Sequence, residues 1–293
     1  MSSDRLPRFS RTKTIPAIQL TARDCEIIRH TFEHRFLRSS QIHALICGSR
    51  QQLLRRLQRL YHHGFLDRPR AQIDYYRRGS QTMVYGVGNQ GVKLLEDKFS
   101  IPRRKVDWTA KNRSTNRYFL EHTLAVADVI IAFELACRRH GQMVKLVHAE
   151  EFFHWTVQIR QPAATVSIGV VPDQVFGLRR KDKRNELVWF FLEVDRATMP
   201  VERRSLKQTS FLRKLIAYHA TWQQKLLKGF PRFRVLTVTT SAERVNRLVQ
   251  ECGRLERGQG LFLFADKKTL SAHGDILTFP WKTGKTGTVE TLT

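Results

Sequence analysis

The sequence predicts an α+β or α/β protein with two domains, in which helices dominate the first and a mixed sheet flanked by helices forms the second. The chain of 293 residues is long enough for about two domains at ~100–200 residues each. Its 41% hydrophobic content can supply a core to both. Apolar residues follow helical spacing in the N-terminal third, whereas strand-like apolar runs alternate with helical segments after the long helical pattern Tyr118–His140.

The charge of the chain indicates a polyanionic partner. There are 51 lysines and arginines against 26 aspartates and glutamates, a formal net charge of +25. Residues 1–116 alone hold 23 basic and 9 acidic residues, a net +14. Because basic groups could meet phosphates along the whole chain, we expect double-stranded DNA as the partner.

Other classes of protein find no support in the sequence. No apolar run reaches the ~18 residues of a membrane helix, and the starting residues MSSDRLPRFSRTK contain no apolar run that could serve as a signal-peptide core, so we expect a cytoplasmic protein with no membrane partner. The cysteines are isolated, which argues against a zinc site or a disulfide framework. Neither a GxxxxGK[ST] loop nor a Gly-x-Ser-x-Gly elbow is present, so nucleotide or serine hydrolysis is not indicated.

Three helices are predicted near the N-terminus, after a basic tail. The first covers Leu20–Leu37, the second is the short segment QIHALIC, and the third is RQQLLRRLQRLYHHGFL. The buried stripe of the third helix is predicted to comprise Leu53, Leu54, Leu57, Leu60 and Tyr61. Its remaining circumference carries the candidate DNA-binding residues Arg50, Arg55, Arg56 and Arg59. A helix with one apolar stripe and an arginine-covered opposite side can lie in a major groove.

The order of the following elements predicts a winged helix. A strand beginning at Phe65 leads through an arginine-rich connection, with Arg77 and Arg78 as further DNA-binding candidates, into a second strand at Thr82–Tyr85. A closing helix starts near Asn89. The alternative is an ordinary helical bundle whose arginine face is merely solvated.

An acidic cluster is predicted on a hairpin of the second domain. The apolar runs Val170–Leu178 and Leu187–Asp195 flank a charged turn, and a turn centred on Lys183 places Asp173 directly opposite Glu193. Asp195 lies on the same side as Glu193, because strand side chains alternate. Opposed Cβ atoms are ~4.5–5.5 Å apart. Three such carboxylates suit Mg²⁺ or Mn²⁺, whereas the alternative is an acidic edge paired with nearby arginines and binding no metal.

These residues resemble a known family. Pro172-Asp173, the hairpin and Glu193-Val194-Asp195 are similar to the motif of PD-(D/E)xK nucleases, and the helix and the strand that follow extend the resemblance. The whole arrangement, over roughly residues 20–240, resembles the replication-relaxation proteins of plasmids and other mobile elements. The resemblance implies that Asp173, Glu193 and Asp195 are catalytic and metal-binding residues.

The third position of the motif departs from the usual pattern. Active members usually carry a lysine there, which stabilises charge on the phosphorane, and this chain has Asp195. We expect a lysine from the next helix to replace it: Lys207 is the candidate catalytic residue, with Lys214 two turns further on and Tyr218 continuing the line.

The sequence therefore indicates a DNA-binding protein that acts in replication, DNA relaxation or transfer of a mobile element. The resemblance admits a nicking endonuclease dependent on Mg²⁺ or Mn²⁺, a relaxase or replication protein as partner, and a homodimer. The alternatives are a non-catalytic winged-helix transcriptional regulator and a metal-dependent DNA endonuclease. The expected segments are a basic tail (1–19), the winged helix (20–96), a basic linker (97–117), a nuclease-like domain (118–280) and a flexible tail (281–293).

Overall fold

Helices and strands occur in both halves of the chain, which confirms the α+β class predicted from the sequence. The chain divides into two units, Met1–Ile131 and Ala132–Thr293. The computed structural model describes residues 6–12, 15–74, 82–100, 106–141, 143–149, 153–161, 164–181, 186–203, 205–230 and 232–293.

The first unit combines helices with a small antiparallel sheet. Its elements in chain order are α1 (Ala22–Glu33), β1 (Phe36–Arg38), α2 (Ser39–Ile46), α3 (Arg50–His62), β2 (Leu66–Asp67), β3 (Val84–Val87), α4 (Asn89–Phe99), α5 (Trp108–Arg113) and the first part of α6 (Arg117–Arg139). In the described part of this unit, three strands pair in the order β1-β3-β2. The predicted linker at 97–117 includes α5.

Strand β1 is an element that the sequence interpretation missed. We expected the first helix to continue to Leu37, but α1 ends at Glu33 and Arg35 adopts a positive φ of 67°. Phe36 is fully buried and pairs with Gly86 of β3, where an added Cβ would lie 2.8 Å from the Phe36 ring. A helical spacing of apolar residues cannot distinguish this short buried strand from a last helical turn.

Helix α3 packs through most of its predicted stripe. Leu53, Leu57, Leu60 and Tyr61 are buried, whereas Leu54 is 39% exposed and does not belong to the core. Ser49 caps the helix by accepting a hydrogen bond from the backbone N–H of Gln52. The arginine-rich side of α3 consequently faces away from the interior of the first unit.

The second unit is built on a mixed sheet. Its elements are the last part of α6, β4 (Val144–His148), β5 (Trp155–Arg160), β6 (Thr165–Val170), β7 (Gln174–Arg180), β8 (Glu186–Val194), α7 (Phe211–Gln223), β9 (Phe233–Thr239), α8 (Ala242–Gly253), β10 (Phe262–Asp266), α9 (Lys267–His273), β11 (Trp281–Thr283) and β12 (Val289–Glu290). Among the described residues, seven strands pair in the order β12-β11-β10-β9-β8-β7-β4, and β5 and β6 form a separate ribbon.

The register of the β7–β8 hairpin agrees with the prediction. Gln174 lies opposite Leu192, so one further step places Asp173 beside Glu193, and the Asp173 N–H donates to the Leu192 carbonyl at 3.0 Å. The turn at 182–185 lies outside the described residues. Phe190 and Phe191, on opposite faces of β8, are both buried. Helices α7 and α8 cover the face that carries Phe191, and the ring of Phe190 stacks on Phe176 of β7.

The C-terminal residues 281–293, expected as a flexible tail, contain two strands of the sheet. β11 pairs with β10 and β12 pairs with β11. Trp281 is fully buried and its indole N–H donates to the Ile276 carbonyl at 3.1 Å. The free energy gained by burying this large side chain outweighs the preference of the surrounding glycine- and threonine-rich sequence for loop conformations.

Acid titration tests the contact between α1 and α3. Asp24 is 1% exposed; burial favours its neutral form, but hydrogen bonds from Arg56 and Thr21 outweigh that effect and lower its pKa. The carboxylate therefore stabilises the fold above about pH 4, and this contribution is lost as the pH falls through the lowered folded-state pKa. Asp24→Asn should cost about 1–3 kcal/mol near neutral pH and little in acid, measured by urea unfolding across pH. Asp97→Asn, at an exposed position of α4, is the matched control and should show no such pattern.

Candidate functional site

Helix α3 presents an exposed polar row opposite its buried stripe. Arg50, Gln51, Arg55 and Arg59 are exposed, and the last three follow one another at intervals of four residues. Residues spaced in this way lie on one side of a helix. Arg77 and Arg78, predicted on the wing, lie outside the described residues.

Arg56 has a different environment from the other arginines of α3. Its guanidinium forms two hydrogen bonds with the buried carboxylate of Asp24, at 2.6 and 2.5 Å, and one with the Gln19 carbonyl at 2.5 Å. The Arg56 side chain is 23% exposed. It therefore holds α3 against α1, a position that the sequence pattern did not distinguish from the exposed arginines.

A buried carboxylate cluster lies on β8 in the second unit. Glu193 is 2% exposed; its Oε2 accepts a hydrogen bond from Lys214 Nζ at 2.5 Å and its Oε1 accepts one from the Tyr218 hydroxyl at 2.7 Å. Both donors stand on α7, four residues apart, where the Ser210 side chain caps the helix. The line Lys214–Tyr218 noted in the sequence thus converges on Glu193.

Burial governs the protonation of this cluster. Desolvation, assisted by the negative charge of Asp173, raises the pKa of Glu193 to about 7, although Lys214 and Tyr218 oppose this shift. Burial favours the neutral amine of Lys214, but Glu193 and then Asp173 outweigh it and raise the pKa of Lys214. Lys214 therefore stays cationic and compensates the acidic groups around it.

Asp173 and Asp195, the other two carboxylates of this cluster, have different hydrogen-bond partners. Asp173 Oδ2 accepts a hydrogen bond from the Val194 N–H at 2.7 Å, at the end of β8 next to Glu193. The Asp195 carboxylate is held by the guanidinium of Arg244 on α8, with Nη2 to Oδ1 at 3.0 Å, and by the Thr239 hydroxyl at 2.7 Å. Arg244 also donates to the Met199 carbonyl at 2.6 Å, so Asp195 anchors the chain that leaves β8.

These hydrogen-bond partners bear on which of the three carboxylates could bind a metal ion. Within the described residues, Asp173, Glu193 and Asp195 do not form a group whose ligand atoms all lie within 4.8 Å of one another. Both oxygens of Asp195 accept hydrogen bonds from Arg244 and Thr239, and both oxygens of Glu193 accept hydrogen bonds from Lys214 and Tyr218, so a cation would compete with these donors at either residue. Asp173 and Glu193 differ from Asp195 in forming an acidic pair next to a lysine.

The lysine beside this pair is Lys214. Lys207, the predicted catalytic candidate, lies in an exposed turn before α7 begins and not on the helix. Its backbone N–H donates to the Ser205 hydroxyl at 3.2 Å. The sequence interpretation extended the helix too far toward the N-terminus, and with it the row of aligned side chains. The four-residue spacing of Lys214 and Tyr218 was the signal that identified the two side chains that contact Glu193.

The fold and this cluster define an α+β protein with a buried carboxylate–lysine–tyrosine network on an interior strand. Residues 28–232 match the model of the replication-relaxation family, and the chain belongs to that family. No curated protein and no solved structure gives a significant match. None of the described helices is both long enough and apolar enough to cross a membrane.

Lys214→Met tests the compensation of Glu193. Without the cation the pKa of Glu193 rises further, so the folded variant binds a proton that the unfolded chain has lost, and its stability falls as the pH rises. We expect a loss of about 1–3 kcal/mol at neutral pH, larger near about pH 8.5 than near about pH 5, by urea unfolding. Lys207→Met is the matched control; an equal loss in that variant would contradict the assignment.

Proposed function

We propose that this chain is a DNA-binding protein that acts in replication, DNA relaxation or transfer of a plasmid or other mobile element. Membership of the replication-relaxation family supports the biological setting. The net charge of +25 supports a nucleic-acid partner. A protein acting on plasmid DNA works in the cytoplasm of its host, and a relaxase or replication protein and a second copy of the chain are its proposed protein partners.

The first unit is proposed to be a winged helix that positions the protein on duplex DNA. Its three N-terminal helices, with β1 between α1 and α2 and with β2 and β3 after α3, and the sheet order β1-β3-β2 support this assignment. The observation that carries it is the exposed basic side of α3, with Arg55 opposite the buried stripe and Arg50 exposed at the first residue of the helix. Such a helix fits the major groove, and an arginine at its first turn lies where a phosphate is favoured by the helix dipole.

The second unit is proposed to be a PD-(D/E)xK-like domain. The hairpin β7–β8, helix α7 and the parallel strand β9 follow in the order that this superfamily uses. Asp173 and Glu193 occupy the two acidic positions, and Lys214 takes the place of the missing motif lysine. On this proposal the unit binds DNA, whether or not it cleaves it.

Metal-dependent cleavage is the second candidate function, favoured by the proximity of Lys214 to the acidic pair. Asp173 and Glu193 would hold Mg²⁺ or Mn²⁺, which supplies Lewis-acid stabilisation of the phosphate and a more acidic bound water. Lys214 would give up its contact with Glu193 and place its positive charge beside the scissile phosphate. A non-catalytic transcriptional regulator would show DNA binding without this activity.

Salt-dependent binding to duplex DNA tests the first candidate function. Each phosphate neutralised contributes a slope of about −0.9 in log K against log salt, so affinity should fall steeply as salt rises. The double variant Arg50→Ala/Arg55→Ala should bind more weakly and show a shallower slope, measured by fluorescence anisotropy. The double variant Arg29→Ala/Lys93→Ala, which removes a half-exposed arginine of α1 and an exposed lysine of α4, loses the same charge and is the control. Binding that is insensitive to salt would contradict the proposal.

Metal-dependent stabilisation tests the second candidate function. Mg²⁺ or Mn²⁺ should raise the melting temperature by mass action on the folded state and support nicking of supercoiled plasmid. Asp173→Asn should abolish both effects, whereas Glu186→Gln, at the far end of the same hairpin, should preserve them. If the wild type shows neither a metal-induced shift nor nicking, cleavage is ruled out and the DNA-binding function is unaffected.

A further inference from the structure

The N-terminal segment, expected as a basic tail, lies along α3. Six of its described residues, 8, 11, 12, 16, 17 and 19, contact the helix or the residues that follow it. We call residues 8–12 and 15–19 the N-terminal strap.

Backbone carbonyls of strap residues 16, 17 and 19 contact a row of basic side chains on α3 and at its C-terminal end. The Gln19 carbonyl accepts a hydrogen bond from Arg56 at 2.5 Å, and the Ala17 carbonyl accepts one from Arg59 at 3.0 Å. His63 Nε2 lies 3.1 Å from the Pro16 carbonyl. Residues 19, 17 and 16 of the strap therefore contact α3 at successive positions from its middle to its C-terminal end.

Residues 11 and 12 of the strap contact the end of α3 and strand β2 through the Arg11 side chain and the Thr12 backbone N–H. Arg11 donates to the carbonyls of Tyr61 and Leu66, at 3.0 and 3.2 Å, and lies 3.4 Å from the carboxylate of Asp67, which is 3% exposed. The Thr12 N–H donates to His62 Nδ1 at 3.2 Å. These contacts fix the strap at both ends of its described length.

Hydrogen bonds to the strap, rather than position on the helix circumference alone, distinguish Arg56, Arg59 and His63 from their neighbours, since Arg59 lies only about 40° from Arg55. At about 100° per residue, Arg56, Arg59 and His63 fall within about 60° of one another on the helix circumference. Gln51 and Arg55 fall in the adjoining sector, about 40° apart, opposite the buried stripe. The basic side of α3 thus consists of two sectors with different partners.

We propose that the N-terminal strap commits Arg56, Arg59 and His63 to holding the segment against α3 and leaves Gln51 and Arg55 as the pair that distinguishes DNA bases. This inference rests on the proposed DNA-binding function and deepens it. Arginine recognises guanine and glutamine recognises adenine through paired hydrogen bonds in the major groove. Four residues of helix advance by about 6 Å, which spans about two base-pair steps of ~3.4 Å, so the two side chains reach nearby bases.

Selection from a randomised duplex pool, with affinity and base preference recorded together, tests the inference. Arg55→Ala should reduce discrimination at one base pair by about 5- to 150-fold, and Gln51→Ala should do so at a nearby position. Arg59→Ala should retain the preferred sequence while cleavage within residues 15–19 by a protease of broad specificity, mapped by mass spectrometry, accelerates. Arg29→Ala, with the same change of charge on α1, should alter neither base preference nor cleavage.

Three results would overturn the inference. The first is an unchanged base preference in Arg55→Ala while duplex binding persists, and the second is a base preference altered by Arg59→Ala as strongly as by Arg55→Ala. The third is cleavage within residues 15–19 of the wild type as fast as cleavage of a free peptide of the same sequence. Absence of duplex binding by the wild type would refute the proposed function itself, a result distinct from these three.

Discussion

A charged carboxylate inside the sheet imposes the main constraint on the second unit. Glu193 is 2% exposed on an interior strand, and a buried acid must be either neutral or paired. Helix α7 satisfies this requirement with Lys214 and Tyr218, which together occupy both carboxylate oxygens. The packing of α7 on β8 is therefore fixed by polar chemistry as well as by apolar contacts. The same arrangement brings a cation to the end of the hairpin where Asp173 also lies.

Local patterns in the sequence were sufficient to predict much of this geometry. The two apolar runs and the charged turn between them determined the register that places Asp173 beside Glu193, because a hairpin pairs residues at fixed offsets from its turn. The spacing of Lys214 and Tyr218 similarly indicated one helical face. The start of α7 was misplaced, and with it Lys207, because the seven-residue spacing of Lys207 and Lys214 was followed past the true start, which the N-cap Ser210 and the buried Phe211 mark.

Long-range partners could not be predicted in the same way. Asp195 pairs with Arg244, which is separated from it in the chain by α7, β9 and the start of α8, so no spacing rule connects the two residues. The arginines of α3 illustrate the same limit, since Arg55 and Arg56 are adjacent in the chain but only Arg56 faces the buried Asp24. The amino-acid composition gives the net charge of the chain. It does not show which of the charged side chains can contact a partner molecule.

The strand β11 has a consequence for any shortened form of the chain. The sequence places the end of the second domain at residue 280, one residue before the buried Trp281. A chain ending there would lose β11 and β12 and leave β10, whose residues Phe262–Asp266 are all buried, as the open edge of the sheet. Unpaired N–H and C=O groups on such an apolar edge recruit strands from other molecules. Self-association of the truncated protein would then reflect an exposed sheet edge rather than natural oligomerisation.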